Sequence, residues 1–195
     1  MEIVDVSDDG AVSAKRSRLN PAVAIAVALL ATFMGICKVK DDNIVQAMQQ
    51  AQADKLDHWA FYQARNLREE VAKSTLVQLR LQALSVPAQH QAAYREQIGA
   101  YETLAKEQAR KKDELKVLAE KDQANYDALN FRDDQFDLSD ALIAIAISLL
   151  AVTSLTQLWW LFGLSLIPAG FGVIMGMAGL AGWSIHPGAL VQLLS

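Results

Sequence analysis

The sequence predicts an all-α integral membrane protein with three transmembrane helices. A long antiparallel helical hairpin, a coiled-coil-like stalk, is expected between the first and the second. Three observations lead there. Pro21 to Cys37 is a run of seventeen residues without a charge, and no Asp, Glu, Lys or Arg occurs from Ala141 onward. The stretch between these apolar zones is rich in charge, and its only helix breakers are Pro87 and Gly99. Apolar residues gathered at the two ends of a chain, with no single period running through it, are the distribution of a membrane protein and not of a soluble domain.

The first transmembrane helix is placed at 21–38, after a polar N-terminal tail at 1–20. Seventeen residues at ~1.5 Å each give ~26 Å, which crosses a thin hydrocarbon core with help from the flanks. Lys15, Arg16 and Arg18 precede this run, as in a secretory signal. No small-x-small cleavage site follows, however, and Ile36 stands where a lipoprotein box needs a small residue before Cys37, so the segment reads as an uncleaved signal anchor. Cys37 is the only cysteine, which excludes an intrachain disulfide and a Cys-based zinc cluster. It is read as a small apolar residue closing the helix, with an intermolecular bridge as the alternative.

Residues 39–139 form the extramembrane hairpin, with its turn near 85–88 at Ser85-Val86-Pro87. Arms of forty-six and fifty-two residues measure ~69 and ~78 Å, so the chain returns close to the level from which it left. In the first arm the apolar series is traced through Leu56, Trp59, Ala60, Gln63, Leu67, Val71, Ser74, Leu81 and Leu84. In the second it runs through Tyr94, Ile98, Tyr101, Ala105, Gln108, Leu115, Ala119, Tyr126 and Leu129, with a gap at Lys111 or Lys112. Polar residues at or beside these seams, Gln63, Gln108 and Asp122, set a register at a cost in stability.

The second transmembrane helix is expected at 140–157 and the third at 160–182, followed by a short C-terminal tail at 183–195. Paired Trp159 and Trp160 favour the headgroup layer, so the turn between the crossings falls at Thr156 to Trp160, and Trp183, His186 and Pro187 close the last helix at the opposite interface. Pro168 lies within that helix and should kink it. Basic residues ahead of the first crossing outnumber those after it by one, which places the N-terminus in the cytoplasm and the hairpin in the periplasm, in a bacterial inner membrane.

A net charge of −4 offers no basic face for phosphate, so nucleic acid is excluded as a partner. The acidic surplus is local. Asp41, Asp42, Asp133, Asp134, Asp137 and Asp140 oppose Lys38, Lys40 and Arg132 at the base of the hairpin, whereas twelve acids balance twelve bases from Asp54 to Asp127. Asp133, Asp137 and Asp140 suggest an acidic collar that would draw cations to a membrane opening. The plainer reading is that acids near a helix start favour its dipole, with Ser139 and Asp140 capping the second crossing.

No catalytic or cofactor spacing occurs, so neither an enzyme nor a cofactor is expected. His58, near Asp54 and Asp57, is read as a hydrogen-bonded surface histidine in preference to a metal ligand. Gly172 and Gly176 form a GxxxG face that Gly179 and Gly182 extend, suited to close helix packing against another protomer or within the same one.

The segment Trp59-Ala60-Phe61-Tyr62-Gln63-Ala64-Arg65 is the densest aromatic cluster. Three aromatics in four positions span most of a helical turn, so they cannot all face one partner. Trp59, Phe61, Tyr62, Gln63 and Arg65 are therefore candidate protein-contact residues, with the Arg65 stem able to cover the Phe61 ring. This segment, about twenty residues after an N-terminal membrane helix and followed by a long charged helix pair and a membrane hairpin, resembles a bacterial family catalogued as domain of unknown function 4337. The family's usual wording is close to Trp-Ala-Phe-Phe/Tyr-Gln-Ala-Lys, and the resemblance covers approximately Pro21 to Gly182. Arg65 replaces Lys, and Thr156-Gln157-Leu158-Trp159 lacks the basic residues that members often carry between the last two crossings. The resemblance implies this layout and brings no activity, substrate or cofactor.

The functional expectation is a non-enzymatic structural or scaffolding assembly, homo-oligomeric, embedded in membrane lipid and presenting its stalk to a protein partner. The alternative is an oligomeric cation channel or transport accessory built on the acidic collar.

Overall fold

A computed structural model describes residues 6–185, with side chains from Arg18 onward. The charges of Lys15 and Arg16 and the closing residues His186 and Pro187 lie outside the described residues. All regular structure among those described is helical: α1 (Val6–Ala83), one 3-10 turn (Ala88–His90), α2 (Gln91–Thr156) and α3 (Trp159–Ala181). Three helices are long and apolar enough to cross a membrane, with mean hydropathies of 2.2, 2.1 and 1.9 in their most apolar windows.

α1 runs without interruption from the expected tail through the expected first crossing into the first arm. Pro21 therefore sits inside the helix, where it removes one rung of the hydrogen-bond ladder. The helix stops at Ala83. The amides of Leu84 and Ser85 turn back to the carbonyls of Leu81 and Gln82 at 3.2 and 3.0 Å, and Pro87, with φ −57° and ψ 152°, holds the chain extended before the 3-10 turn. α2 ends at Thr156 because Gln157 adopts a left-handed φ of 56°, which no right-handed helix can carry forward. α3 continues through Pro168 and ends on Gly182 in the left-handed conformation. The Trp183 amide bonds back to the Ala178 carbonyl at 2.9 Å, closing the helix in the way that favours glycine at this position.

The chain divides into two compact units. Unit 1 comprises the residues up to Gln46 and those from Ala128 onward, so it holds the apolar part of α1, the apolar part of α2, and α3. Its core is made by Leu19, Val23 and Leu30 of α1, Ile143, Ala146 and Leu150 of α2, and Ala169 of α3. Hydroxyls inside this apolar setting bond to carbonyls of their own helix, Thr153 to Leu149 and Ser165 to Phe162, which satisfies them without water. Many large apolar side chains of unit 1 face outward, among them Ile25, Leu29, Leu155, Trp160 and Phe171.

Unit 2 is Ala47–Asp127. Here the structure corrects the series expected for the first arm. Leu56, Leu67, Val71, Leu81 and Leu84 are all exposed, at 57% to 83%, and Ala60, Gln63 and Ser74 are exposed as well. The residues of α1 turned toward α2 are instead Ala51, Lys55, His58, Tyr62, Arg65, Glu69, Ala72, Leu76, Leu79 and Ala83, all buried or half-buried and spaced alternately by four and three. The series expected on α2 is the half-buried or buried one, and Lys112 fills its gap. The reason lies in that α2 seam. Gln108, Lys112 and Asp122 need polar partners when removed from water, and only the Lys55, His58, Arg65 and Glu69 face of α1 supplies them.

Candidate functional site

Two groups of polar residues are organised well enough to carry a role. The first is the ladder across unit 2. Lys55 Nζ donates to Gln123 Oε1 at 2.8 Å, His58 Nδ1 lies 2.6 Å from Asp122 Oδ2, and Arg65 Nη1 donates to Gln108 Oε1 at 3.0 Å. Glu69, 4% exposed, lies between Lys112 Nζ at 2.7 Å and Lys73 Nζ at 2.6 Å. Arg80 pairs with Glu102 near the end of α1. From Lys55–Gln123 to Arg80–Glu102 the partner's number on α2 falls as the number on α1 rises, except that Arg65 reaches past Lys112 to Gln108 while Glu69 pairs with Lys112. Hydrogen bonds from Lys112 and then from Lys73 hold the Glu69 carboxyl below its ordinary range, so this glutamate is charged and doubly compensated.

These pairs reassign the aromatic cluster. Tyr62 and Arg65 belong to the seam within unit 2, Trp59 stacks edge-on against Tyr62 with ring centroids 5.2 Å apart, and Phe61 stays 60% exposed. Gln63 is exposed. His58 has its partner on α2 and not in Asp54 or Asp57. Among the described residues no group of three His, Cys, Asp or Glu has an arrangement that could hold a metal ion. Lys55 and Glu69 carry no apolar signal in the sequence, and His58 and Lys112 show their partners only once the two helices are paired. Their signal was a polar series with alternating spacing, facing a polar series of matching spacing on the second arm.

The second group is the acidic base of unit 1. Asp41 is 4% exposed and accepts from Lys38 at 2.7 Å through Oδ2, while Lys38 also lies 3.6 Å from Asp42. Asp41 Oδ1 is buried without an N–H or O–H donor. The Asp133 carboxyl beside it can supply one only by keeping its proton. Burial first, then this hydrogen bond with Asp41 and the charge of Asp137, pushes Asp133 up to about 7. Asp137 is raised in the same direction, by lost hydration and then by the charge of Asp41. Arg132, counted in the sequence among the bases opposing these acids, points elsewhere: its Nη2 donates to the Gly179 carbonyl at 2.9 Å. Lys38 and a proton retained on Asp133 thus offset part of the cluster's charge from within.

Three glycines of α3, Gly172, Gly176 and Gly179, are covered inside the chain, whereas Gly163 and Gly170 face open space. A Cβ on Gly172 would lie 2.8 Å from Ile143 Cγ1 and one on Gly176 2.7 Å from both Phe33 Cε1 and Ser139 Oγ. On Gly179 it would meet the Phe136 ring at 2.8 Å. Of the two packings open from sequence, the structure takes the one within the protomer. Ser139, fully buried, donates to the Gly172 carbonyl at 2.8 Å. Gln135, 1% exposed, donates to the carbonyls of Trp183 and Ile185 at 2.8 and 2.6 Å. Gln135 and Ser139 carry no motif, and their role appears only once α3 lies beside α2. Cys37 is 1% exposed, which places its thiol out of reach of a bridge to another chain.

The described residues are thus helical, with three helices able to span a membrane, a polar ladder in unit 2 and a partly compensated acidic cluster in unit 1. Residues 19–182 match the family described as Domain of unknown function (DUF4337), and the chain belongs to that family. No curated protein and no solved structure matches the chain.

Proposed function

We propose that the protein is a non-enzymatic scaffolding assembly of the bacterial inner membrane, anchored by three crossings. It presents unit 2 as an antiparallel, coiled-coil-like hairpin at the membrane surface, in the periplasm, and several copies associate there. The observation that carries this reading is the inverted packing of unit 2. Its interior threads a polar ladder through a seam of small or half-buried apolar residues, while large apolar side chains of α1, Leu56, Leu67, Val71 and Leu81, remain outside. Such a rod gains stability by association, because burying apolar surface is the dominant favourable term in assembly and the ladder by itself adds little beyond specificity. Phe61, 60% exposed, remains a contact residue in this reading. Trp59, half-buried against Tyr62, is its support.

The acidic cluster counts against the cation-gathering collar. A carboxylate paired to Lys38 and another that keeps its proton near neutral pH present less charge to a passing cation than six free acids would.

The test is the mass of the protein in mild detergent and in lipid nanodiscs, by light scattering. A particle with an integral multiple of the 21.3 kDa chain mass is expected. A single-chain particle in both settings would sink the assembly. For orientation, Lys106→Cys in a Cys37→Ala background should react with an impermeant reagent in cells whose outer membrane alone is opened. Reaction only after the inner membrane is breached would place the hairpin in the cytoplasm.

A further inference from the structure

The outward face of α1 in unit 2 is not an ordinary solvent face. Take the positions opposite the seam from Ala53 to Ser85, numbered 53, 56, 57, 60, 63, 64, 67, 70, 71, 74, 77, 78, 81, 84 and 85. Only Asp57 and Glu70 among them are charged. The corresponding positions of α2 include Lys106, Glu107, Arg110, Asp113, Glu114, Glu120 and Lys121, which is how a helix ends at water. One helix of the pair is finished and the other is open.

We propose that this stripe, built on Leu56, Leu67, Val71, Val77 and Leu81 of α1 and on Leu84 in the turn just past its end, is the docking surface for the same stripe of a second copy of the chain. The inference rests on the assembly reading above and names its contact surface. Leu56, Val77 and Leu84 expose 58%, 55% and 83%, in line with the other three. At ~60 to 120 Å² for each fully buried aliphatic side chain, these six with Phe61 offer on the order of 400 Å² of apolar surface. Two such stripes contribute about 800 Å², and at an apolar share of roughly 60% that corresponds to an interface near 1,300 Å², within the range of specific complexes. One stripe alone falls short, and a second copy supplies the missing half with the same length and repeat.

The local relief suits a helix as occupant. A groove of about 360 Å³ opens along the stripe, with Leu67, Arg68 and Val71 of α1 on one wall and Tyr101 and Leu104 of α2 on the other. Small and large residues alternate along the middle of the stripe, Ala60, Leu67, Ser74 and Leu81, so that a bulky side chain of one copy finds room over a small one of the other. A lipid surface is a poorer fit. Such a surface selects a face rimmed by basic residues, and this rim is mixed: Asp54, Asp57 and Glu70 stand against Arg68, Lys73 and Arg80.

The test uses the full chain in detergent and in nanodiscs. Single cysteines at Leu56, Leu67, Ser74 and Leu81 in a Cys37→Ala background are oxidised, with Lys106→Cys on the charged face of α2 as control. A disulfide-linked pair of this chain from at least one stripe position, at least tenfold above the control, is expected. Leu67→Lys with Leu81→Lys should move the particle to lower mass while the helical circular dichroism stays intact, since both side chains are exposed. Val117→Lys, on the outer face of α2, should leave the mass unchanged. Cross-linking no better than the control, or a product containing a different protein, overturns the proposal. If the wild type is a multimer and the lysine variant keeps its mass, the stripe falls while the assembly reading stands. If the wild type is a single chain in both settings, both fall.

Discussion

Units 1 and 2 are built from opposite materials. Unit 1 places apolar side chains and glycine backbones in its interior, with Ile143, Ala146 and Leu150 at 0% exposure. Unit 2 uses the same two helices, yet its seam sets Lys55, His58, Arg65, Glu69, Gln108 and Lys112 among apolar residues such as Ala72, Leu79 and Leu115, while Leu56, Leu67, Leu81 and Leu84 face out. The difference shows where each unit's remaining contacts lie. Unit 1 spends its close-packing residues within the chain, so its outward apolar surface needs only a nonspecific apolar solvent such as lipid. Unit 2 uses its polar residues within the chain, and under the proposal above its outward apolar surface takes a partner of matching shape.

The sharpest way to break that contrast is to damage unit 1 from inside. Gly176→Leu puts a branched side chain where even a Cβ would lie 2.7 Å from Phe33 and Ser139. The atoms met belong to the side chains of Phe33 and Ser139, both of which must turn or shift away, at the ~1 to 3 kcal/mol typical of overpacking. We expect loss of the α3 docking, read as release of Trp183 fluorescence and proteolytic access to the segment after Gly182, with unit 2 still helical. Retention of both signals would show that Gly176 is not a close contact.

A smaller effect separates the two interiors. Lys112→Ala leaves Glu69, 4% exposed, with Lys73 as its remaining cationic partner. An under-compensated carboxylate at this position should lower the denaturant midpoint monitored at unit 2. The double replacement Glu69→Leu with Lys112→Leu should recover most of that loss, because apolar groups of similar volume often replace an ion pair at no cost. Failure of the double variant to recover would mean that the ladder supplies stability as well as register.

The all-helical character and the three apolar helices were legible in the sequence because charge-free runs and the scarcity of Pro and Gly act locally. Pro87 and the polar linker at Gln157 break helices wherever they occur. The α2 series from Tyr94 to Leu129 was legible for the same reason: one face alternates cleanly. The α1 face was not. Leu56, Leu67, Val71 and Leu81 form the stronger apolar stripe, and a search for burial selects it, whereas Gln108, Lys112 and Asp122 across the seam demand polar partners. Which stripe turns inward is a property of the pair and not of either helix. The contacts of Arg132 and Gln135 with the end of α3 were hidden likewise, since their acceptors are backbone carbonyls that carry no residue signature.

pH offers a third test, because the two units respond with opposite signs. Asp133 has its folded pKa raised to about 7 from an ordinary 3.8, so the folded state holds a proton that the unfolded state has already lost. Its contribution to stability falls as pH rises from about 4 to 7 and then levels off. Glu69 is lowered, so its contribution is present above its ordinary value and disappears as pH falls through its folded one. Amide exchange between pH 5 and 8 should show unit 1 loosening with rising pH while unit 2 holds steady. Asp133→Asn should flatten the slope in unit 1 and leave unit 2 unchanged, with a remainder from Asp137, which shifts in the same direction. An unchanged slope in the variant would mean that Asp133 keeps no proton.

The smallest expected effect lies at the turn between α2 and α3. Gln157 carries a φ of 56°, a conformation that costs a side-chain-bearing residue roughly 1 kcal/mol or more and glycine almost nothing. Its side chain offsets part of that, since Nε2 donates to Asn20 Oδ1 at 2.7 Å and so ties the turn to α1. Gln157→Gly removes both the strain and the tie. Gln157→Asn tolerates the left-handed backbone but is one methylene short of Asn20. If backbone strain dominates, both variants raise the unfolding midpoint of unit 1. If the bond to Asn20 dominates, both lower it, and Asn20→Ala reproduces the loss. We expect strain to dominate, with a gain of about 0.5 kcal/mol for glycine, because the tie is exposed to solvent and an exposed neutral hydrogen bond contributes at the low end of the ~0.5 to 1.5 kcal/mol range.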